Sequence, residues 1–210
     1  MVDINKSEFY NKTKKSYNAI ANSYTSQYYS IVSMEDALKE FTSYLSLGDK
    51  VLDVGCGHGR DLEYFINSGL FATGIDNSQE LLKIARQRSE AELIELDIRN
   101  LSLLKQKFNG LWANAVLHHL HIDDIEKVCV DMFELLTDGG VLFISVKAKI
   151  TDHWDSKYPN FPRHYTSIEK TFLENCLYSA GFKITKSKII AEDISNPGLT
   201  RFWLNIFAST

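Results

Sequence analysis

A chain of 210 residues, 44% hydrophobic and 24% charged, is long enough to bury the core of one domain. Its three prolines, without a low-complexity linker or an internal repeat, give no reason to divide it. A net charge of -4 and a pI near 5.9 supply no global field for nucleic acid or an anionic membrane. The start, Met1-Val2-Asp3-Ile4-Asn5-Lys6, has no basic patch leading into an apolar run, and no apolar stretch approaches spanning length, so a cytoplasmic protein with no membrane partner is expected. Cys56, Cys129 and Cys176 are odd in number and scattered; they suit a reducing compartment, match no zinc spacing and read most simply as small buried hydrophobes.

Tyr10, Tyr17, Ala21, Tyr24 and Tyr28 recur at helical spacing, which predicts a helical N-terminal segment to about residue 47. Such a stripe packs on the body of the domain or closes over a cleft, and periodicity does not separate the two. Lys12, Lys14 and Lys15 beside it read as a solvated helix face.

Next comes Val51-Leu52-Asp53-Val54, an apolar strand, followed by Gly55-Cys56-Gly57-His58-Gly59. Glycines directly after a buried strand let the backbone turn sharply and approach a ligand before a helix begins. The dinucleotide fingerprint would need a glycine at Arg60, whereas the third glycine comes one position early, at Gly59. Asp53, two residues ahead of the loop, would repel a pyrophosphate but could pair with a ligand's ammonium group. S-adenosylmethionine carries no phosphate and offers that amine, together with a carboxylate for backbone N–H groups at a helix start.

Phe71-Ala72-Thr73-Gly74-Ile75-Asp76 is a second short strand ending in an acid, and such an acid bonds the ribose hydroxyls of an adenosine in doubly wound folds. Asn77 and Ser78 offer caps for a helix over about 78–89. A third strand over 93–98 ends in Asp97 and Ile98, and a fourth over 110–113 runs into Asn114-Ala115-Val116-Leu117-His118-His119-Leu120. Asp123 is placed to cap a helix that Gly139-Gly140 would end, and a fifth strand covers 141–146. An aromatic segment, 151–166, precedes a helix over 167–180 closed by Gly181. Two strands then follow in succession, 183–190 and 201–208, with a turn at Asn196-Pro197-Gly198, which predicts a hairpin with one strand antiparallel to an otherwise parallel sheet.

Three strand-end acids in register with the glycine loop, and the terminal hairpin, resemble the class I S-adenosylmethionine-dependent methyltransferases over about 17–208. The fourth-strand motif at 111–120, the Gly139-Gly140 pair and the ending at 200–205 look like a group of small bacterial members, mostly of unassigned substrate. The resemblance implies a doubly wound, Rossmann-like α/β fold with a seven-stranded, mostly parallel sheet, an antiparallel terminal strand and a helical N-terminal lid. It divides one domain, 1–210, into a lid (1–48), a cofactor-binding core (49–150), a substrate lid loop (151–166) and a closing helix and hairpin (167–210). It implies S-adenosylmethionine as cofactor, S-adenosylhomocysteine as product and no metal. Asp53, Gly55, Cys56, Gly57 and Gly59 would meet the methionine part and ribose, Asp76 and Asn77 the ribose, Asp97 and Ile98 the adenine, with Asn114 and Tyr17 completing the set.

Methyl transfer then mainly needs a nucleophile held in line with the sulfonium. Should a proton have to leave the acceptor, His119, His118 and His164 are the candidate bases, His119 first; each also reads as a structural histidine bonding a carbonyl. Tyr24, Trp154, His164 and Tyr165, with His119, would face the substrate. No prolines follow Asn114 as in one type of amino methylation, no cysteine is placed as a nucleophile, the thiols are not clustered as for arsenic, and no paired acids suggest a metal. A small-molecule O- or N-methyltransferase is the leading expectation, with tRNA or other RNA as the less favoured acceptor and a non-catalytic cofactor-fold module as the third reading.

Overall fold

The computed structural model describes residues 6–28, 34–193 and 200–210. A seven-stranded sheet forms its centre, built from β1 (Lys50–Val54), β2 (Phe71–Asp76), β3 (Glu92–Glu95), β4 (Phe108–Asn114), β5 (Leu136–Ala148), β8 (Lys183–Asp193) and β9 (Thr200–Ser209), in the order β3-β2-β1-β4-β5-β9-β8. The first five strands are mutually parallel, and β9 runs antiparallel to both β5 and β8. A short ribbon of β6 (His153–Trp154) and β7 (His164–Tyr165) interrupts the aromatic segment expected to be loop.

Helices α3 (Arg60–Asn67), α4 (Gln79–Arg88), α5 (Ile125–Leu135) and α6 (Lys170–Ala180) cross between strands or join them, while α1 (Lys6–Gln27) and α2 (Glu35–Ser43) precede the sheet. Apolar side chains cover the sheet on both faces. One cluster gathers Leu52, Leu111 and Ile144 with α5 and α6; the other stacks Trp112 on Phe143, ring centroids 4.0 Å apart, beneath α2 and α3. Both faces being covered explains why β1, β4 and β5 read as apolar runs rather than as alternating patterns.

Several boundaries differ from the sequence reading. The helical N-terminal segment expected to about residue 47 consists of two helices, α1 and α2. The third strand stops at Glu95, because Asp97 turns the chain by accepting the Arg99 N–H at 3.0 Å and capping a 3-10 turn that starts at Ile98. Asp123 does not cap α5; it sits inside a 3-10 turn, Ile122–Asp124, that leads into the helix. Nor do Gly139-Gly140 end α5, which stops at Leu135: both lie within β5, Gly139 at φ 74°. Ser78 does cap α4, receiving the Leu81 N–H at 3.3 Å, and Gly181 closes α6 in the left-handed conformation. The expected turn at Asn196-Pro197-Gly198 lies outside the described residues.

Candidate active site

Beyond the carboxyl ends of β1, β2, β4 and β5 lie two adjoining cavities, the position that open α/β sheets reserve for ligands. The inner one, roughly 110 Å³, lies over the glycine loop among Asp76, Asn77, Asp97, Ile98 and Ala115. The outer one, roughly 630 Å³, opens between α1, the end of β5 and the 151–166 segment, with Trp154, Tyr165 and Lys147 on its wall. Gly55, Gly57, Tyr17, Tyr24 and Asn114 border both.

The glycine loop is shaped from below. Gly55 and Cys56 both donate their N–H to the Ile75 carbonyl, at 2.8 and 2.9 Å, which folds the loop over the end of β2. Gly57 has φ 54°, and a side chain added there would meet nothing within 4 Å, so the loop presents open room toward the cavities. Gly59 is different. It borders neither cavity; it starts α3 at φ 80°, and an added Cβ would lie 3.0 Å from the Ala85 Cβ of α4. Ala115, just past β4, also holds a left-handed φ of 59°, a conformation that costs an L residue energy and here lies on the wall of both cavities.

Asp76 accepts the Gly57 N–H at 2.9 Å on one carboxylate oxygen and the Ser78 N–H at 2.8 Å on the other. Each oxygen keeps acceptor capacity toward the inner cavity. Asp97 is more fully engaged, since Arg99 grips it with two guanidinium nitrogens, both at 2.8 Å, and that pairing holds its carboxyl below the usual range despite burial. Asp53 presents the opposite case. It is 2% exposed on the outer cavity's wall, and no group among the described residues donates a hydrogen bond to it. Burial, aggravated by the neighbouring Asp61, pushes its pKa well up. A buried carboxylate with no donor is costly, and an ammonium arriving through the cavity would supply what it lacks. Asn114 reaches Asp61 instead, at 3.1 Å, beside the Trp112 indole N–H at 2.9 Å; these bonds tie α3 to β4 under the loop.

Across the cavities, α1 brings Tyr17 to His119. The His119 Nδ1 lies 2.6 Å from the His164 carbonyl, which can only accept, so the proton sits on Nδ1 and Nε2 offers a lone pair. The Tyr17 hydroxyl donates to that lone pair at 2.8 Å. Burial pushes the His119 pKa down to about 3 and the Tyr17 phenol up, so both are neutral at physiological pH. His118 is buried with its Nδ1 taking the Lys147 N–H at 3.2 Å and its ring stacked on Tyr165. His164 contributes its carbonyl, while its ring packs on Phe9 and Trp154 and borders neither cavity. Of the site residues expected from sequence, then, only Gly59 and the His164 ring stand apart from the cavities.

The sequence points to Arg163 only as part of the 151–166 segment, and to Lys147 and Asp61 not at all. Lys147 directly follows the apolar run 141–146, an ordinary place for a lysine, and Asp61 had no signal beyond its place behind the loop.

Residues 51–140 match the family described as "Methyltransferase domain". Over those residues the chain carries a methyltransferase domain, on the fold of solved S-adenosylmethionine-dependent methyltransferases. The chain is 29% identical over 100 residues to the malonyl-[acyl-carrier protein] O-methyltransferase of Enterobacter lignolyticus, 47% of this chain and 39% of the relative. To the ubiquinone biosynthesis O-methyltransferase of Coxiella burnetii it is 31% identical over 103 residues, 47% of this chain and 43% of the relative. Each match thus spans under half the length of the curated relative. The fold is similar to that of the Burkholderia thailandensis 1,6-didemethyltoxoflavin-N1-methyltransferase, solved with 1,6-didemethyltoxoflavin and S-adenosylhomocysteine, with TM-score 0.75, 20% identity and coverage of 98% of this chain and 90% of that one. It is also similar to the [4+2]-cyclase SpnF, with TM-score 0.66, 20% identity and coverage of 85% and 80%. At such identities the likeness speaks for the methyltransferase fold, and chemistry has to be argued from the site.

Proposed function

We propose that this chain transfers a methyl group from S-adenosylmethionine to an oxygen or nitrogen atom of a small molecule, where its two cavities meet. The observation that carries this reading is their shared border at Gly55, Gly57, Tyr17, Tyr24 and Asn114, so that a ligand held over the glycine loop reaches the aromatic chamber. When bound, the cofactor supplies an electrophilic methyl group on a sulfonium. Asp53 would take its ammonium, the loop residues Gly55, Cys56 and Gly57 would pass close to its methionine part, and Asp76 with Asn77 would hold the ribose. Asp97 and Ile98 would border the adenine. Gly59 acts from behind, by letting α3 start against α4.

The remaining work is to position the acceptor and to take its proton where it has one. Tyr17 and Tyr24 from the 1–48 lid, with Trp154 and Tyr165 from the 151–166 segment, exclude water and orient a planar body by ring contact. A proton leaving the acceptor has a path: onto the Tyr17 oxygen, as the Tyr17 proton moves to His119 Nε2. His119 is unprotonated throughout the neutral range, so it is available, though its low pKa makes it a weak base suited to an acceptor that ionises readily.

A chamber of roughly 630 Å³ falls within the ~300–1,000 Å³ of small-molecule sites. The N-terminal lysines favour the same class: Lys12 lies over the Trp154 ring and Lys14 pairs with Glu95, so neither is reserved for a phosphate backbone. Incubating the purified protein with methyl-labelled cofactor and a cell extract, followed by mass spectrometry, tests the reading. A labelled small molecule formed together with S-adenosylhomocysteine is expected; label confined to RNA, or no transfer, would overturn it.

A further inference from the structure

Lys147 stands at the end of β5, opposite Trp203 of β9, and lines the outer cavity. Its ammonium lies 3.4 Å from the centroid of the Tyr165 ring, and no carboxylate among the described residues comes within ion-pair distance of it. Lys147 is half-buried, and a lysine drawn out of solvent with no partner acid is uncommon.

The surroundings are cationic as well. Arg163, 2% exposed, spends one guanidinium nitrogen on Asp155 and leaves its Nε buried with no partner. Arg201 and Lys157 border the same chamber. The nearby acids are engaged: Asp155 holds Arg163, and Glu192 accepts the Trp203 indole N–H at 2.7 Å. Asp53 and Asp61 lie at the glycine-loop end, where Asp61 pairs with Arg60. Beyond the Arg163–Asp155 and Arg60–Asp61 pairs, three cations, Lys147, Lys157 and Arg201, line the aromatic chamber with two acids, Glu192 and, at the glycine-loop end, Asp53.

Resting on the methyltransferase reading above, we infer that the acceptor is an anion, a carboxylate or phosphate attached to a planar body, with Lys147 as the charge that selects it. Burial and the repulsion of Arg163, Arg201 and Lys157 push the Lys147 pKa down to about 8, which is the cost of a positive site awaiting its counter-charge. Tyr165, held face-on to the ammonium, is placed to receive the planar part beside it.

The probes are benzoate against benzamide and phenyl phosphate against phenol, titrated with S-adenosylhomocysteine present and absent by following tryptophan fluorescence, with calorimetry as a check. At least one anion should bind at least about tenfold more tightly than its neutral partner. Lys147→Met should erase the preference and Lys147→Arg should restore part of it, both with S-adenosylhomocysteine affinity kept within about twofold. Preference for benzoate alone assigns a carboxylate, for phenyl phosphate alone a phosphate, and for both the shared charge. Neutral probes that bind as well as the anions, no binding of either anion, or a preference that survives Lys147→Met would overturn the inference. An anion preference in a chain that fails to bind S-adenosylhomocysteine would support the inference and refute the methyltransferase reading.

Discussion

The Tyr17 hydroxyl, from the N-terminal helix, donates to His119 Nε2, beyond the end of β4, at 2.8 Å, while the other His119 nitrogen is fixed on the His164 carbonyl at 2.6 Å. A pair joined this way acts as a unit. Tyr17→Phe and His119→Ala should each lower single-turnover methyl transfer by about 100-fold for an acceptor that must lose a proton, and the double variant should cost little more than either alone. Losses that multiply instead would separate the two residues; an unchanged rate in both would leave orientation as the whole mechanism.

Asp53 should show a trade between stability and binding. Its folded pKa is raised, so the folded chain binds more protons than the unfolded one above the ordinary carboxyl range, and stability falls as pH rises through the folded value. Asp53→Asn removes that term. Its cofactor-free Tm at neutral pH should exceed that of the parent, while S-adenosylmethionine affinity drops by about 10- to 100-fold through loss of a charge-assisted bond. Calorimetry with thermal unfolding of the same samples reads both, and a lower Tm with affinity intact would refute the assignment.

The two loop glycines should fail in different ways. At Gly57 an added methyl meets open space, so Gly57→Ala carries only the cost of the left-handed backbone, about 1 kcal/mol, and should still fold while losing cofactor affinity. At Gly59 the methyl meets Ala85 on top of a left-handed backbone, so Gly59→Ala should lower stability by about 1–2 kcal/mol or more. Urea unfolding beside cofactor titration would sort them, and matching defects in both variants would contradict the division.

For pH, His119 with a pKa of about 3 should leave no break in kcat/KM between about pH 5 and 8. Lys147 should leave one. Burial first, then the repulsion of Arg163, Arg201 and Lys157, lowers its pKa to about 8 against the pull of Asp155, so its charge, and with it attraction for an anionic acceptor, is lost as pH rises past that point. Lys147→Arg should carry the plateau to higher pH, because a guanidinium stays charged. A basic limb that survives the substitution belongs to another group.

Local chemistry made much of this legible. The apolar runs at 51–54 and 141–146 and the glycines after the first required a covered parallel sheet and a close-approach loop, and both are present. Helix ends were less readable where a turn intervened: Asp123 has the right residue type for a cap, yet a 3-10 turn places the start of α5 after it. Gly139-Gly140 looked like a helix stop, because sequence does not distinguish a glycine that ends a helix from one that bends a strand. The roles of His119 and His164 depend on a carbonyl supplied from 45 residues away, and the Tyr17 contact spans 102, separations at which periodicity carries no information. Lys147 escaped for a related reason: a strand-end lysine is ordinary until its surroundings prove to hold no acid for it.

The helix α1 spans both cavities, with Tyr17 and Tyr24 on each, and is pinned to the start of α4 through Asn18, which accepts the Ser78 hydroxyl at 2.8 Å. The inner chamber beneath it, roughly 110 Å³, adjoins the outer one along Tyr17 and Tyr24. The outer chamber, proposed above for the acceptor, is bordered by the same two tyrosines. With the cofactor in the inner chamber and the acceptor in the outer, as proposed, ordered kinetics are expected: the nucleoside-bearing reactant binds first and its demethylated form departs last, with product inhibition competitive against the first reactant alone.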